Sequence, residues 1–194
     1  MNRTLAAVAI LAASAATAHA QDAERWEGFY AGFATNIIAP EFDNSNLMVP
    51  LQEGTGFGAY GGYNFALNDN FVVGAELGIS GPASFQVNLN TDFEYDRVAN
   101  ARLRGGYAIG NALIYGTLGY QNVEFGATPG ISTEGSADGL VYGLGIEVLL
   151  VDNVSVRMDY TSTHMSPDEG SIIGAPSDVQ IDANAIGLGV ALHF

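Results

Sequence analysis

The chain alternates between large apolar residues and small or polar residues with a period of two over most of its length. Between Leu140 and Leu150, every even position is apolar, whereas the odd positions include glycines and Glu147. Successive side chains of a β-strand point to opposite faces, so this pattern predicts strands with one apolar face. Eight such runs occur, at residues 27–37, 55–66, 71–80, 94–109, 113–123, 138–150, 154–163 and 180–194.

The connections between these runs alternate between short and long along the chain. Short turns rich in Asn, Asp and Gly occur at residues 67–70, 110–111 and 151–153. The long connections, at residues 38–54, 81–93, 124–137 and 164–179, contain all 6 prolines, which we therefore expect outside the strands. Short turns on one side and long loops on the other predict an all-β fold, an eight-stranded antiparallel up-and-down transmembrane β-barrel. Both chain ends are expected on its periplasmic side.

The composition of the two faces predicts which of them points outward. The face opposite the large apolar residues carries charged residues together with many glycines. The glycines are Gly32, Gly58, Gly62, Gly74, Gly78, Gly143, Gly145, Gly187 and Gly189. A soluble lipocalin-like carrier would line its interior with apolar side chains, whereas a membrane barrel turns them toward lipid. Glycines and charges suit a narrow lumen, so we expect the apolar face outside.

Aromatic residues are expected to form two bands on this barrel. With the topology above, one band lies near the periplasmic rim and the other toward the outer rim. The first comprises Phe29, Tyr63, Phe65, Phe71, Tyr107 and Phe194, and the second Phe57, Tyr120, Tyr142 and Tyr160. Aromatic rings at both membrane interfaces are typical of outer-membrane barrels.

The first twenty residues have the organisation of a secretory signal peptide. Arg3 precedes a short apolar run, and Ala18-His19-Ala20 forms a small-x-small cleavage site. We expect cleavage between Ala20 and Gln21, which leaves a barrel domain of residues 21–194.

Charge and cysteine content exclude several classes of protein. The chain has 6 Lys plus Arg, all of them arginine, against 21 Asp plus Glu, and a net charge of −15. Such a surface is unsuited to binding nucleic acid. The absence of cysteine excludes disulfide scaffolds and thiolate metal sites.

Three segments resemble the opacity-type porin family of outer-membrane β-barrel domain proteins. Residues 26–32 read W-E-G-F-Y-A-G, similar to the opening of that family, and residues 102–107 read R-L-R-G-G-Y, similar to its fourth strand. The G-L-G-V of residues 187–190, followed by terminal Phe194, resembles its last strand. The resemblance implies a structural, adhesive or host-interacting surface protein, with some relatives acting as minor pores. It also implies that the outer-membrane assembly machinery reads Phe194 as a C-terminal signal.

Charged residues on the inward face are predicted to form one network. Three arginines and three carboxylates share this face: Glu76, Arg102, Arg104, Glu147, Arg157 and Asp159. Burying an unpaired charge is costly, so we expect these groups to pair across the lumen. An eight-stranded barrel has room only for its own side chains. A plugged barrel is therefore the main hypothesis, and a narrow channel for ions or small solutes is the alternative.

Two further sets of residues are candidate sites, one for catalysis by a lipid A-modifying enzyme and one for binding divalent cations. His164 and Ser166, with Glu169 nearby, resemble the H-x-S arrangement of lipid A deacylases, although Pro167 departs from that pattern. Acidic residues of the long connections are candidates for binding divalent cations that bridge lipopolysaccharide: Glu41, Asp43, Glu53, Asp92, Glu94, Asp96, Asp168, Glu169 and Asp178.

We expect no catalytic residues, cofactor or metal site. The expected partners are outer-membrane lipid, lipopolysaccharide and the assembly machinery, with the protein a monomer.

Overall fold

The barrel is built from antiparallel strands that close on themselves. The computed structural model describes residues 22–42, 54–81, 83–87, 91–125, 135–167 and 181–194. Its strands are β1 (Gly28–Phe42), β2 (Gly54–Ala66), β3 (Phe71–Ser80), β4 (Ala83–Val87), β5 (Thr91–Ile109), β6 (Ala112–Phe125), β7 (Gly135–Val151), β8 (Val154–Pro167) and β9 (Ile181–His193). A 3₁₀ turn, Ala23–Trp26, precedes β1. None of the residues described belongs to a helix long and apolar enough to cross a membrane.

Two pairings close the ring. Strand β1 pairs with β9, and β3 pairs with β5, so β1–β3 and β5–β9 form an eight-stranded closed barrel in which every pairing is antiparallel. The predicted fold class is confirmed. Strand β4 lies outside this ring and pairs only with the outer end of β5.

Strand β4 corrects the expectation that residues 81–93 form one connection. Residues 83–87 pair with residues 91–95 as a short hairpin. The sequence of β4, Ala-Ser-Phe-Gln-Val, alternates like the other strands but is only 5 residues long. The acidic segment around Asp92, Glu94 and Asp96 is thus part of the extended strand β5.

The prediction that every proline lies outside the strands is wrong for two of them. Pro40 lies in β1 opposite Ala183, and Pro167 lies in β8 opposite Ala137. Among the described residues, both positions pair on one side only: the last described β1–β2 pair is at Ile38 and the last described β8–β9 pair is at Met165. Proline, which has no N–H to donate, is tolerated toward the ends of such ladders.

The short turns gather at one end of the barrel. At residues 67–70, Asn68 Oδ1 accepts hydrogen bonds from the backbone N–H groups of Asn70 and Phe71, at 3.1 and 2.9 Å. Gly110 has a φ of 59°, which suits its tight turn between β5 and β6. Phe194 N–H donates to Phe29 C=O at 2.8 Å, so the last residue lies at this same end.

The outward face is apolar and the inward face is small or polar, as predicted. Phe33, Leu77, Leu103 and Leu144 are between 67% and 76% exposed, which is the exposure of side chains that contact lipid. The aromatic band at the turn end contains edge-on ring pairs, with centroids 4.7 Å apart for Phe29–Tyr63 and 5.0 Å for Phe71–Tyr107. The four rings of the outer band are also exposed.

Candidate functional site

The six charged residues predicted for the lumen all lie inside the barrel. They come from strands β3, β5, β7 and β8, and the alternation of each strand points them inward. Five of them are buried, with exposures from 0% to 8%, and the Arg102 side chain is 10% exposed. They form two carboxylate-centred clusters.

Glu76 is the centre of the first cluster. Arg157 Nη1 donates to Glu76 Oε2 at 2.5 Å, and Arg102 Nη2 donates to Glu76 Oε1. The hydroxyl of Tyr30 donates to the same carboxylate at 3.0 Å. Arg102 stands opposite Glu76 in the β3–β5 ladder, whereas Arg157 reaches it from β8. This contact therefore crosses the lumen.

Glu147 is the centre of the second cluster and is fully buried. It accepts a hydrogen bond from Arg104 Nη2 at 2.8 Å and one from Ser155 Oγ at 2.6 Å. His193 Nε2 lies 3.2 Å from Oε1, the same oxygen that accepts from Ser155. Four strands thus contribute to this carboxylate's surroundings, and Arg104 reaches it from two strands away.

Asp159 joins the two clusters. Its Oδ2 lies 3.0 Å from Arg157 Nε, an ion pair that lacks hydrogen-bond geometry, and its Oδ1 accepts from the Tyr115 hydroxyl. Tyr115 in turn lies against Arg104, which belongs to the Glu147 cluster. Three arginines and three carboxylates balance one another within this connected set, as buried charges require.

Inward tyrosines complete the coordination of the arginines. The guanidinium of Arg104 lies 4.1 Å from the ring centre of Tyr115 and 5.3 Å from that of Tyr30. That of Arg157 lies 3.4 Å from the ring of Tyr60. Among the described residues, Arg104 Nε and Nη1 have no hydrogen-bond partner, and the guanidinium as a whole lies near the π faces of the two tyrosines. No sequence motif marks these tyrosines as site residues, although the alternation of their strands places them on the inward face.

The 3₁₀ turn fills the mouth of the lumen at the turn end. Trp26 and Ala23 are fully buried there among apolar residues that include Leu113 and Leu149. Asp22 Oδ2 accepts from the N–H of Gly110 at 2.6 Å, and the carbonyl of Trp26 accepts from Asn64 at 3.1 Å. The sequence signal for this plug is weak, because residues 22–26 lack a strand pattern and are too short for a helix pattern.

The outer half of the lumen contains a small polar cavity of about 100 Å³. Its lining includes Asn36, Asn100, Gln121, Thr161 and Thr163, with Arg102 and Arg157 also contributing. A polar cavity of this size is large enough to hold water. Solvent in the outer half of the lumen therefore meets the ion pairs before it meets Trp26.

His164 lies on the outward face, away from the lumen. Its Nε2 is 3.0 Å from the hydroxyl of Tyr142, and its Nδ1 contacts Asp182. The orienting carboxylate suggested by the sequence, Glu169, lies outside the described residues, and so does the side chain of Ser166. Within the described ranges, no three His, Asp or Glu side chains come together in a set that could hold a metal ion.

The remaining predicted sites divide between described and undescribed parts. The signal peptide and its junction at Ala20 and Gln21 lie outside the described residues, and so do Asp43, Glu53, Asp168 and Asp178. The Phe194 side chain is described and is 79% exposed at the turn end.

Several proteins of known structure share this architecture. Neisserial surface protein A aligns with a TM-score of 0.60 at 14% identity, covering 86% of this chain and 97% of that one. Ail, the attachment invasion locus protein of Yersinia pestis, aligns with a TM-score of 0.52 at 18% identity, covering 86% and 99%. OprG from Pseudomonas aeruginosa aligns with a TM-score of 0.52 at 19% identity, covering 87% and 97%. At these identities the similarity concerns the fold.

Sequence comparison identifies the family directly. A 22 kDa outer membrane protein of Rhizobium leguminosarum bv. viciae is 26% identical over 174 residues, which cover 87% of this chain and 78% of that protein. The profile of the outer membrane protein beta-barrel domain matches residues 8–194. Together with the closed eight-stranded barrel, this match shows that the chain belongs to the outer membrane protein beta-barrel domain family and resides in the cell outer membrane.

Proposed function

We propose that this protein is a plugged outer-membrane barrel with a structural or surface-interaction role, and that it does not conduct solutes. The observation that carries the proposal is the connected ion-pair network across the lumen. Glu76 and Glu147 are each held by residues from opposite parts of the barrel wall. A solute passing between them would have to break buried ion pairs, which is costly in a site of low dielectric constant.

A second obstruction lies below the network. Trp26 occupies the turn-end mouth and packs edge-on against His193, with ring centres 5.5 Å apart. His193 also faces Glu147, so the aromatic layer and the ion-pair layer are in direct contact. The two layers act in series, and opening either one alone leaves the lumen blocked by the other.

Single-channel recording tests this proposal. Residues 21–194, refolded in detergent and inserted into a planar bilayer, are expected to give no discrete conductance steps. Insertion is verified by protease protection and by heat-modifiable migration on gels. A variant lacking residues 22–26 and carrying Glu76→Ala, Arg104→Ala, Glu147→Ala and Arg157→Ala removes the turn and the cross-lumen pairs of both clusters, and it serves as the matched comparison. Reproducible steps from the unmodified protein would contradict the proposal and favour the narrow channel, with Arg102, Arg104 and Glu147 as its constriction.

A non-enzymatic role is part of the proposal. What supports it is the position of His164, whose two ring nitrogens already lie against Tyr142 and Asp182 on the lipid-facing surface. A Ser–His arrangement needs a free imidazole nitrogen that faces the nucleophile.

The acidic loop sequences then remain the regions through which a surface protein contacts its surroundings. We propose a monomer, since each of the eight strands in the closed ring is paired on both sides with strands of the same chain, which leaves the ring no edge for a second copy to extend.

A further inference from the structure

An apolar groove crosses the lipid-facing wall in the outer half of the barrel. Its volume is about 990 Å³, at the upper end of the ~300–1,000 Å³ typical of small-molecule sites. The groove extends over strands β8, β9, β1, β2 and β3, and the large side chains of its walls are exposed. These are Phe33, Phe57, Ile79, Leu188 and Val190.

The groove is concave because small residues lie between these large ones. Thr35 stands between Phe57 and Leu188 in the two ladders of β1, and Ala59 stands between Phe33 and Ile79 in the ladders of β2. A large residue at either position would fill the depression. The shape of the groove therefore follows from the sizes of the residues at outward positions of adjacent strands.

Arg97 lies at the outer end of this groove. It is the only arginine of the described residues that faces outward in the outer half of the barrel, and its side chain is 51% exposed. The other described arginines lie elsewhere. In the lumen, carboxylates pair with Arg102, Arg104 and Arg157, and at the turn end Arg25 lies near Asp152. The groove thus combines an apolar trough with a cation at the level of the outer interface.

We propose that this groove binds one lipopolysaccharide molecule of the outer leaflet through its acylated, phosphorylated lipid A portion. An acyl chain lies over Thr35 and Ala59, and a phosphate contacts the guanidinium of Arg97. Arginine recognises phosphate through paired charge-assisted hydrogen bonds. Glu124, which now pairs with Arg97, competes with the phosphate for the same donors.

Charge decides the selectivity of such a site more than apolar contact does. An acyl chain is surrounded by apolar groups both in the bilayer and in the groove, so entering the groove gains it only closer packing. The phosphate, in contrast, gains a charge-assisted contact with Arg97, which has to outweigh the repulsion from a protein of net charge −15. The inference goes beyond the plugged-barrel proposal, and either outcome of the conductance experiment leaves it standing.

Native mass spectrometry of the refolded barrel in detergent tests the site. Bisphosphorylated lipid A is titrated against the unmodified protein, Arg97→Gln and Ala59→Phe, with Thr35→Leu as a second groove-filling variant. We expect one tightly bound lipid A on the unmodified protein. Loss of a charge-assisted contact in Arg97→Gln is expected to weaken binding about tenfold or more. The groove-filling variants are expected to weaken it as well, and Glu124→Gln to strengthen it.

The matched control is Arg25→Gln, which removes the exposed arginine at the opposite end and is expected to bind lipid A like the unmodified protein. Heat-modifiable migration verifies that each variant is folded. Unchanged binding by Arg97→Gln, or by both groove-filling variants, would overturn the proposal. Phosphatidylglycerol binding with equal affinity and equal sensitivity to Arg97→Gln would overturn the assignment to lipid A.

Discussion

Gly32 illustrates how closely the lumen is packed at the scale of one residue. A Cβ atom at this position would lie 2.3 Å from the carbonyl oxygen of Val190 and 2.6 Å from the ring of Tyr60. The backbone oxygen cannot move without disturbing the β1–β9 pairing, and Tyr60 is held against Arg157. A side chain at Gly32 therefore strains both the wall and the network.

Gly32→Ala is expected to lower the free energy of unfolding by about 1–3 kcal/mol, as overpacking of a filled interior does. Urea unfolding in detergent micelles measures the change. Gly105→Ala is the matched control, because nothing lies within 4 Å of a Cβ at this outward position of β5. Equal losses in the two variants would show that strand glycine content, and not lumen packing, sets the effect.

The buried pair of Arg104 and Glu147 is the second residue-scale test. Arg104→Ala leaves Glu147 buried with only Ser155 and His193 as partners, which is expected to cost about 3–5 kcal/mol of unfolding free energy. Arg97→Ala is the control on the same strand. It breaks an exposed pair with Glu124 and is expected to cost less than about 1 kcal/mol.

A double-mutant cycle with Arg104→Ala and Glu147→Ala separates the pair from its surroundings. Because the two groups are in contact, the double variant is expected to lose less than the sum of the single losses. Additive losses, or no loss in Arg104→Ala, would contradict a stabilising network.

At the scale of secondary-structure elements, the 3₁₀ turn Ala23–Trp26 is held by few contacts. Asp22 receives the N–H of Gly110, the N–H of Ala23 donates to the carbonyl of Asp69 at 2.9 Å, and Trp26 fills the mouth. Strand ladders do not include this element, so its docking depends on these contacts.

Trp26 is the only tryptophan of the chain and is fully buried, so its fluorescence reports on the docked turn. We expect blue-shifted emission in the folded barrel and little quenching by acrylamide. Asp22→Ala is expected to raise the quenching rate without unfolding the barrel, because it removes the acceptor of the Gly110 N–H. Arg25→Gln, in the same turn but half exposed, is the control. Strong quenching in the unmodified protein would contradict a docked plug.

At the scale of the whole molecule, the exposed last residue allows the stability of the barrel and its assembly in the membrane to be tested separately. The Phe194 ring is 79% exposed, whereas its backbone N–H closes the ladder against Phe29. Phe194→Ala is expected to leave unfolding in detergent almost unchanged and to reduce the amount of folded barrel in the outer membrane of cells. Fractionated membranes and heat-modifiable migration measure the second effect. Normal amounts in cells would contradict a role as an assembly signal.

Much of the barrel could be predicted from the sequence because the information is local. The run at residues 71–80 coincides with β3, and the run at residues 154–163 begins at the first residue of β8, since period-two alternation is visible residue by residue. Strand ends were less predictable. Strands β1, β5, β7 and β8 continue beyond the apolar runs, where pairing with a neighbouring strand extends them.

The number of barrel strands, their antiparallel order and the face on which each charge lies can be predicted from the sequence alone. These features follow from alternation and turn length, which act between near neighbours. The pairing partners of the charged residues, in contrast, depend on the folded barrel. Arg157 meets Glu76 from 81 residues away, and Arg104 meets Glu147 from 43 residues away. Closure of the sheet, with its stagger, sets the heights at which opposite strands face each other. For the same reason, the Trp26 plug and the groove beneath Arg97 exist only in the closed barrel.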